Sequence, residues 1–275
     1  MSSPSTSQLG RLLTEFRAAF LKDLRAYIRY PAWILGDFLS TPLWFFFFAL
    51  GVTLFTPTTP GAGERGMSYF FFGFLFIVLF STCVWGVGQS VRNEQEAGTL
   101  EQFFLSPSSR TTLILGRWAR IFLTDMVIIG YTTLLVYLLG GLNLQLLDPT
   151  LFVFALGVYE VSLIGFGLLM AGFTMKLKSF SSISNLIFFG YMILTGALFP
   201  ITLIPIPVRY ISMLIPFTYL NDIMRHAALG TTMILPDVLE YSIGVFASLL
   251  MLVVGFVAFN LTEKEARIKG SIATS

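Results

Sequence analysis

Residues 67–91 read MSYFFFGFLFIVLFSTCVWGVGQSV, twenty-five positions without one charged side chain. A helix of that length extends about 37 Å, and the hydrocarbon core of a bilayer is about 30 Å thick. The run is too long for a strand and too apolar for a helix that keeps one face in water, so it reads as a transmembrane helix. Working outward from it, charge-poor stretches recur near residues 31–55, 113–141, 150–175, 180–200 and 236–261. Composition agrees: 55% hydrophobic, 16% aromatic and 12% charged residues, with a mean hydropathy of +0.80, lie outside the range of soluble domains. The 275 residues accommodate six spans joined by short loops.

Other classes are disfavoured by the same inventory. A net charge of +2 is too small for a nucleic-acid partner. Cys83 is the only cysteine, so neither a disulfide framework nor a multi-thiolate metal site can be built, and the thiol reads as packing. The first 30 residues spread Arg11, Arg17, Lys22, Arg25 and Arg29 before any apolar core, unlike a cleaved leader, and are expected to stay on the protein.

Orientation follows from the loop charges. With the amino terminus inside, the cytoplasmic side collects those five residues, then Arg92, Arg110, Arg117 and Arg120, then Lys176 and Lys178, then Lys264, Arg267 and Lys269. The outer side keeps only Arg65, Arg209 and Arg225. That bias predicts six spans with both termini cytoplasmic in the cell membrane. The expected organisation is an interface helix over residues 1–30, a six-span domain over 31–261 and a cytoplasmic tail over 262–275.

Leu9, Leu13, Phe16, Phe20 and Leu24 recur at helical spacing, with Arg11, Glu15, Lys22, Arg25 and Arg29 opposite. This predicts an amphipathic helix in the inner interface, its basic face toward lipid headgroups. The longest strongly polar run between two spans is Arg92-Asn93-Glu94-Gln95-Glu96-Ala97-Gly98-Thr99-Leu100-Glu101. Arg92 and Glu96 lie one turn apart, so a short helix is expected until Gly98 loosens it and Pro107 ends it. Three carboxylates beside Leu100, Phe103, Phe104 and Leu105 suit a docking knob for another protein. They do not suit catalysis, because no nucleophile or ligand set accompanies them.

This run resembles the signature of ABC-2 type transporter permeases, the membrane subunits of ATP-driven exporters. The matching positions are Arg92, Glu94, Glu96, Gly98, Thr99, Leu100, Glu101, Pro107 and Arg110. The resemblance implies a coupling helix, about residues 92–106, that sits in a cleft of a partner ATPase. A second pattern supports it: Ser184-Asn185, then Thr195-Gly196-Ala197-Leu198-Phe199-Pro200, then Pro216-Phe217-Thr218-Tyr219-Leu220-Asn221-Asp222-Ile223-Met224-Arg225. Prolines at 200, 205, 207, 216 and 236 forbid one continuous helix while the segment stays apolar. Short re-entrant helices over about 200–235 are therefore expected to cap the outer end of a path. Gly196, Pro200, Pro216, Tyr219, Asp222 and Arg225 are its candidate gate residues.

Asp37, Asp125 and Glu160 fall inside predicted spans, where a carboxylate facing lipid costs roughly 2.5 to 3.5 kcal/mol. Polar contacts between helices or protomers are their preferred role, ahead of substrate contact. His226 has no second ligand near it and reads as an ordinary outer-loop residue. The clusters Trp44–Phe48 and Tyr69–Phe72 read mainly as lipid-facing packing, with some rings available to line a path.

None of Lys22, Lys176, Lys178, Lys264 and Lys269 follows a glycine, so no phosphate-cradling Gly-Lys-Ser/Thr loop exists and no catalytic site is expected. No cofactor is assigned to this chain; ATP and magnesium belong to the partner. The resemblance implies ATPase subunits, a second permease protomer, identical or related, and membrane lipid as partners. It also implies export of an amphiphilic, lipid-linked or drug-like substrate. A proton-coupled secondary transporter using Asp125 or Glu160 is the rival reading, although no internal repeat is visible. A non-catalytic membrane scaffold is a third.

Overall fold

The computed structural model describes residues 8–55, 62–88, 109–140, 146–176 and 180–269. Every regular element among them is helical. α1 is Gln8–Arg29, α2 Pro31–Phe55, and α3 Ala62–Thr82, which continues as a π-helical turn over Cys83–Gly88. After the undescribed residues come α4, Arg110–Gly140, α5, Pro149–Lys176, and α6, Phe180–Leu194. A 3₁₀ turn at Ile201–Leu203 leads to α7, Ile206–Ser212, α8, Pro216–Leu229, and the long α9, Asp237–Lys269.

Five of these helices, α2, α3, α4, α5 and α9, are long and apolar enough to cross a membrane. The sixth predicted stretch, 180–200, is helical only over the 15 residues of α6, about 22 Å at the helical rise. It stops because Gly196 takes φ 71°, a left-handed turn that an apolar stretch does not announce. At the other end of the chain, α9 continues past residue 261 and takes in Glu263–Lys269 as its last turns.

α3 is the hub. Phe70, Phe71, Phe72, Phe76, Leu79, Phe80 and Val84 are all buried. Phe45 of α2 packs edge-on to Phe71 and Phe74, and Phe80 stacks on Tyr191 of α6 with centroids 3.9 Å apart. This corrects the lipid-facing reading of Tyr69–Phe72: those rings fill the core. The exposed apolar surface belongs instead to Trp33, Leu39, Leu43, Phe47 and Leu50 of α2 and to Phe246, Leu250, Val253 and Val257 of α9.

In hydrocarbon, apolar burial does not drive helices together; close backbone approach does. α5 and α9 meet in that way. They run parallel, Gly165 lying against Leu252 and Gly255, and Gly172 against Phe259 and Thr262. A Cβ on Gly255 would collide with the Gly165 carbonyl. At one end of the bundle, the Leu147 and Asp148 N–H groups donate to the Ala228 and Ala227 carbonyls, tying the start of α5 to the end of α8. At the other end, Arg110 at the start of α4 pairs with Glu263 late in α9 at 3.4 Å.

Candidate functional site

A cavity of about 690 Å³ opens between α2, α3 with its π turn, α4 and α6. Its apolar walls are Trp44 and Phe48 of α2, Phe70, Phe74 and Trp85 of the α3 arm, and Phe188 and Phe189 of α6. Polar groups gather toward α1: Asp37 and Thr41 of α2, Ser81 and Thr82 of α3, and Arg120, Thr124 and Asp125 of α4. Pro42 interrupts the hydrogen-bond ladder of α2 beside Thr41, and the six-residue π turn distorts α3 beside Trp85 and Gly86. Both walls therefore depart from regular α-helix where they face the cavity, as functional sites often do.

Two of the three predicted intramembrane acids line this cavity. Tyr27 of α1 donates its hydroxyl to Asp37 Oδ2 at 2.8 Å, and Thr82 Oγ1 donates to Asp125 Oδ2 at 2.6 Å. Burial, reinforced by the bond to Asp37, raises the Tyr27 phenol above its ordinary value. Glu160 of α5 stands apart, buried behind Asp125 in a small void shared with Thr82 and Cys83, with Oε1 unpaired among the described residues. Sequence reading missed Trp85 and Arg120, the second because it had been counted as a loop charge. Pro42 inside an apolar span was the available signal for the cavity.

The expected outer gate residues divide. Pro200 and Pro216 act as helix starts, before the 3₁₀ turn and at the first position of α8, where a missing N–H costs nothing. Tyr219 donates to the Met213 carbonyl at 2.7 Å. Gly196, Asp222 and Arg225 come together around the Arg225 guanidinium, which is 2% exposed. It donates to the Gly196 and Ala197 carbonyls at 2.9 and 2.8 Å and to Tyr69 Oη at 2.8 Å, and lies 3.6 Å from the Tyr69 ring centroid. Gly73 leaves room for this: a Cβ there would strike the Ala197 carbonyl and approach Arg225. Arg225 is thus an internal clamp between α8, α3 and the chain after α6, not an outer-loop charge. Asp222 accepts the Ile234 N–H at 2.9 Å, and burial pushes its carboxyl above the ordinary range. Beside it, Tyr191 joins Tyr159 at 2.7 Å and donates to Asn221 at 3.2 Å, a polar chain across α5, α6 and α8. His226 is bonded to the Thr231 carbonyl.

On the inner side, α1 lies along α4. Asp23 accepts from Arg117 at 2.7 Å, and Glu15 Oε2 accepts the Ser109 N–H at 2.9 Å. Glu15 therefore faces the protein, against the expected polar outer face, while Arg11, Arg17, Lys22 and Arg25 stay exposed. The predicted coupling residues Arg92, Glu94, Glu96, Gly98, Thr99, Leu100 and Glu101 lie outside the described residues. Their two flanks are described: the π turn ends at Gly88, and Ser109–Arg110 opens α4. Among the described residues no group of three or more His, Cys, Asp and Glu is placed to hold a metal ion.

Bundle and cavity together define a multi-pass helical membrane protein with an internal amphiphilic chamber. A family profile, ABC-2 type transporter, matches residues 10–229. The chain belongs to that family and is a transmembrane permease of an ABC transporter. Among curated proteins, none matches its sequence.

Proposed function

We propose that this permease is half of an exporter: it carries an amphiphilic, lipid-linked or drug-like substrate out of the cytoplasm or inner leaflet of the cell membrane, using ATP hydrolysed by separate subunits. One observation carries the reading. The helices that enter and leave segment 89–108, α3 with its π turn and α4, are the same helices that wall the 690 Å³ cavity through Trp85, Gly86, Arg120 and Asp125. A push on that segment reaches the chamber without passing through any other element.

Six crossings with both termini cytoplasmic suit this arrangement. α5 and α9 both start at the α8 end of the bundle, which supports reading α6, with the residues that follow it, as the return between them. Residues 200–235 would then cap the outer mouth, with Arg225 as its clamp. The chamber opens beside the exposed face of α2, where a second protomer, identical or related, would complete it. Two ATPase subunits would grip residues 92–106, with α1 bracing the segment's exit through Glu15 and Ser109.

The test is a complex of this chain with its ATPase, reconstituted in lipid. Replacing both Glu94 and Glu101 with Ala is expected to lower substrate-stimulated ATPase activity roughly fivefold or more while membrane insertion persists. Stimulation that stays at the unmodified level would refute the docking role. A proton-coupled secondary transporter is the alternative that the closely placed Asp125 and Glu160 favour; transport driven by a pH gradient without ATP would establish it.

A further inference from the structure

We infer that the chamber selects amphiphiles bearing a cationic, hydrogen-donating end group, and that Asp37 and Asp125 read that charge. The inference rests on the reading of the 690 Å³ cavity as the substrate chamber.

The first support is the direction of the hydroxyls. Ser81 donates to the Val78 carbonyl at 2.8 Å, Thr124 to the Arg120 carbonyl at 3.0 Å, and Thr82 to Asp125 at 2.6 Å. Their hydrogens are committed within the protein, so what they offer a ligand is oxygen lone pairs. Together with the two carboxylates they line the polar end mostly with acceptors, and Arg120 is its one charged donor among the described residues. A ligand that brings N–H donors finds more partners there than one that brings only acceptors.

The second support is the charge balance around that end. Among the described residues that line the cavity, two carboxylates, Asp37 and Asp125, stand against one cation, Arg120. Arg117 is paired with Asp23 at 2.7 Å. Arg120 is drawn to α1 as well: its guanidinium lies 5.4 Å from the Tyr27 ring centroid and in the field of Asp23 as well as Asp125. Asp37 has a neutral partner, the Tyr27 hydroxyl. A carboxylate in a membrane-embedded wall is costly without an opposite charge, and a cationic ligand supplies it.

The third support is the wall itself. Trp44 and Phe48 stack with centroids 5.7 Å apart, and Phe70, Phe74 and Trp85 add further ring surface to the same chamber. Aromatic faces attract cations and repel anions, while their area holds an apolar body. The volume falls in the range that encloses drug-sized ligands.

The experiment uses the chain with its ATPase in lipid nanodiscs and three dansyl-alkyl probes identical except for an ammonium, hydroxyl or carboxylate end. Binding is read by energy transfer from tryptophan to dansyl, and coupling by ATPase stimulation. The ammonium probe is expected to bind at least about tenfold more tightly than either of the others. Asp125→Asn and Asp37→Asn should each shrink that preference severalfold. Asp125→Glu, which keeps the charge, should retain it, as should Asp237→Asn at the exposed start of α9. Equal binding of all three probes, a preference for the carboxylate, or an undiminished preference in Asp125→Asn would overturn the inference. All three probes stimulating ATPase alike would leave the chamber standing and remove only its charge selectivity. No binding by any probe would remove both.

Discussion

Arg225 and Asp37 illustrate opposite fates of a charge in an apolar chain. Arg225 is fully enclosed and donates from Nη1 and Nη2 to two carbonyls left free where α6 ends and to the Tyr69 hydroxyl. Replacing it with Met would strand all three, at a cost of about 3 kcal/mol or more. The expected outcome is a drop of several degrees in the thermal midpoint of the purified protein. Arg225→Lys should recover only part of it, because an ammonium cannot fork across Gly196 and Ala197 as a guanidinium does. None of this was legible in the sequence. The partners are backbone atoms 28 and 29 positions away, and a loop-charge count had placed Arg225 outside. Asp37, Asp125 and Glu160 were legible as residues, because a carboxylate in an apolar run stands out. That only the first two share the chamber was not, since it depends on which faces of α2, α4 and α5 turn toward α3.

Elements were more readable than their contacts. Five predicted spans, those beginning near 31, 67, 113, 150 and 236, match α2 to α5 and α9 closely, since bilayer thickness fixes their length. α6 defied that rule because Gly196 turns the chain within a stretch that carries no charge. α1 was predicted as an amphipathic helix, yet its contact with α4 rests on Asp23 and Glu15, which periodicity had assigned to no partner or to the wrong face. If that contact is as specific as its geometry, a double-mutant cycle of Asp23→Asn and Arg117→Gln should yield a coupling energy of about 1 kcal/mol by thermal unfolding. Additive effects would mean that the pair is incidental. The α5–α9 contact allows a harsher test. Gly255→Leu must push two backbones apart, so assembly of the purified protein should fail or its midpoint fall steeply, while Leu250→Ala on the exposed face of α9 should change little.

For the molecule as a whole, the arrangement that coupling requires can be checked without knowing the substrate. In a background lacking Cys83, a membrane-impermeant maleimide should label Leu203→Cys, an exposed position before α7, in intact cells. It should label Gln102→Cys only after permeabilisation. The reverse pattern would invert the topology and remove the ATPase contact with it. Class and family lay open in the sequence because hydropathy and the Arg92–Glu101 run are local properties. The chamber did not, since it is assembled from four helices and becomes visible only when they are packed. The backbone contact between Gly165 and Gly255 also bears on how the permease can move. Two helices in backbone contact at that point resist sliding past each other, so α5 and α9 are expected to move as one body. α2, which buries little of itself and carries Pro42 within its helix, is the wall least tied to that pair.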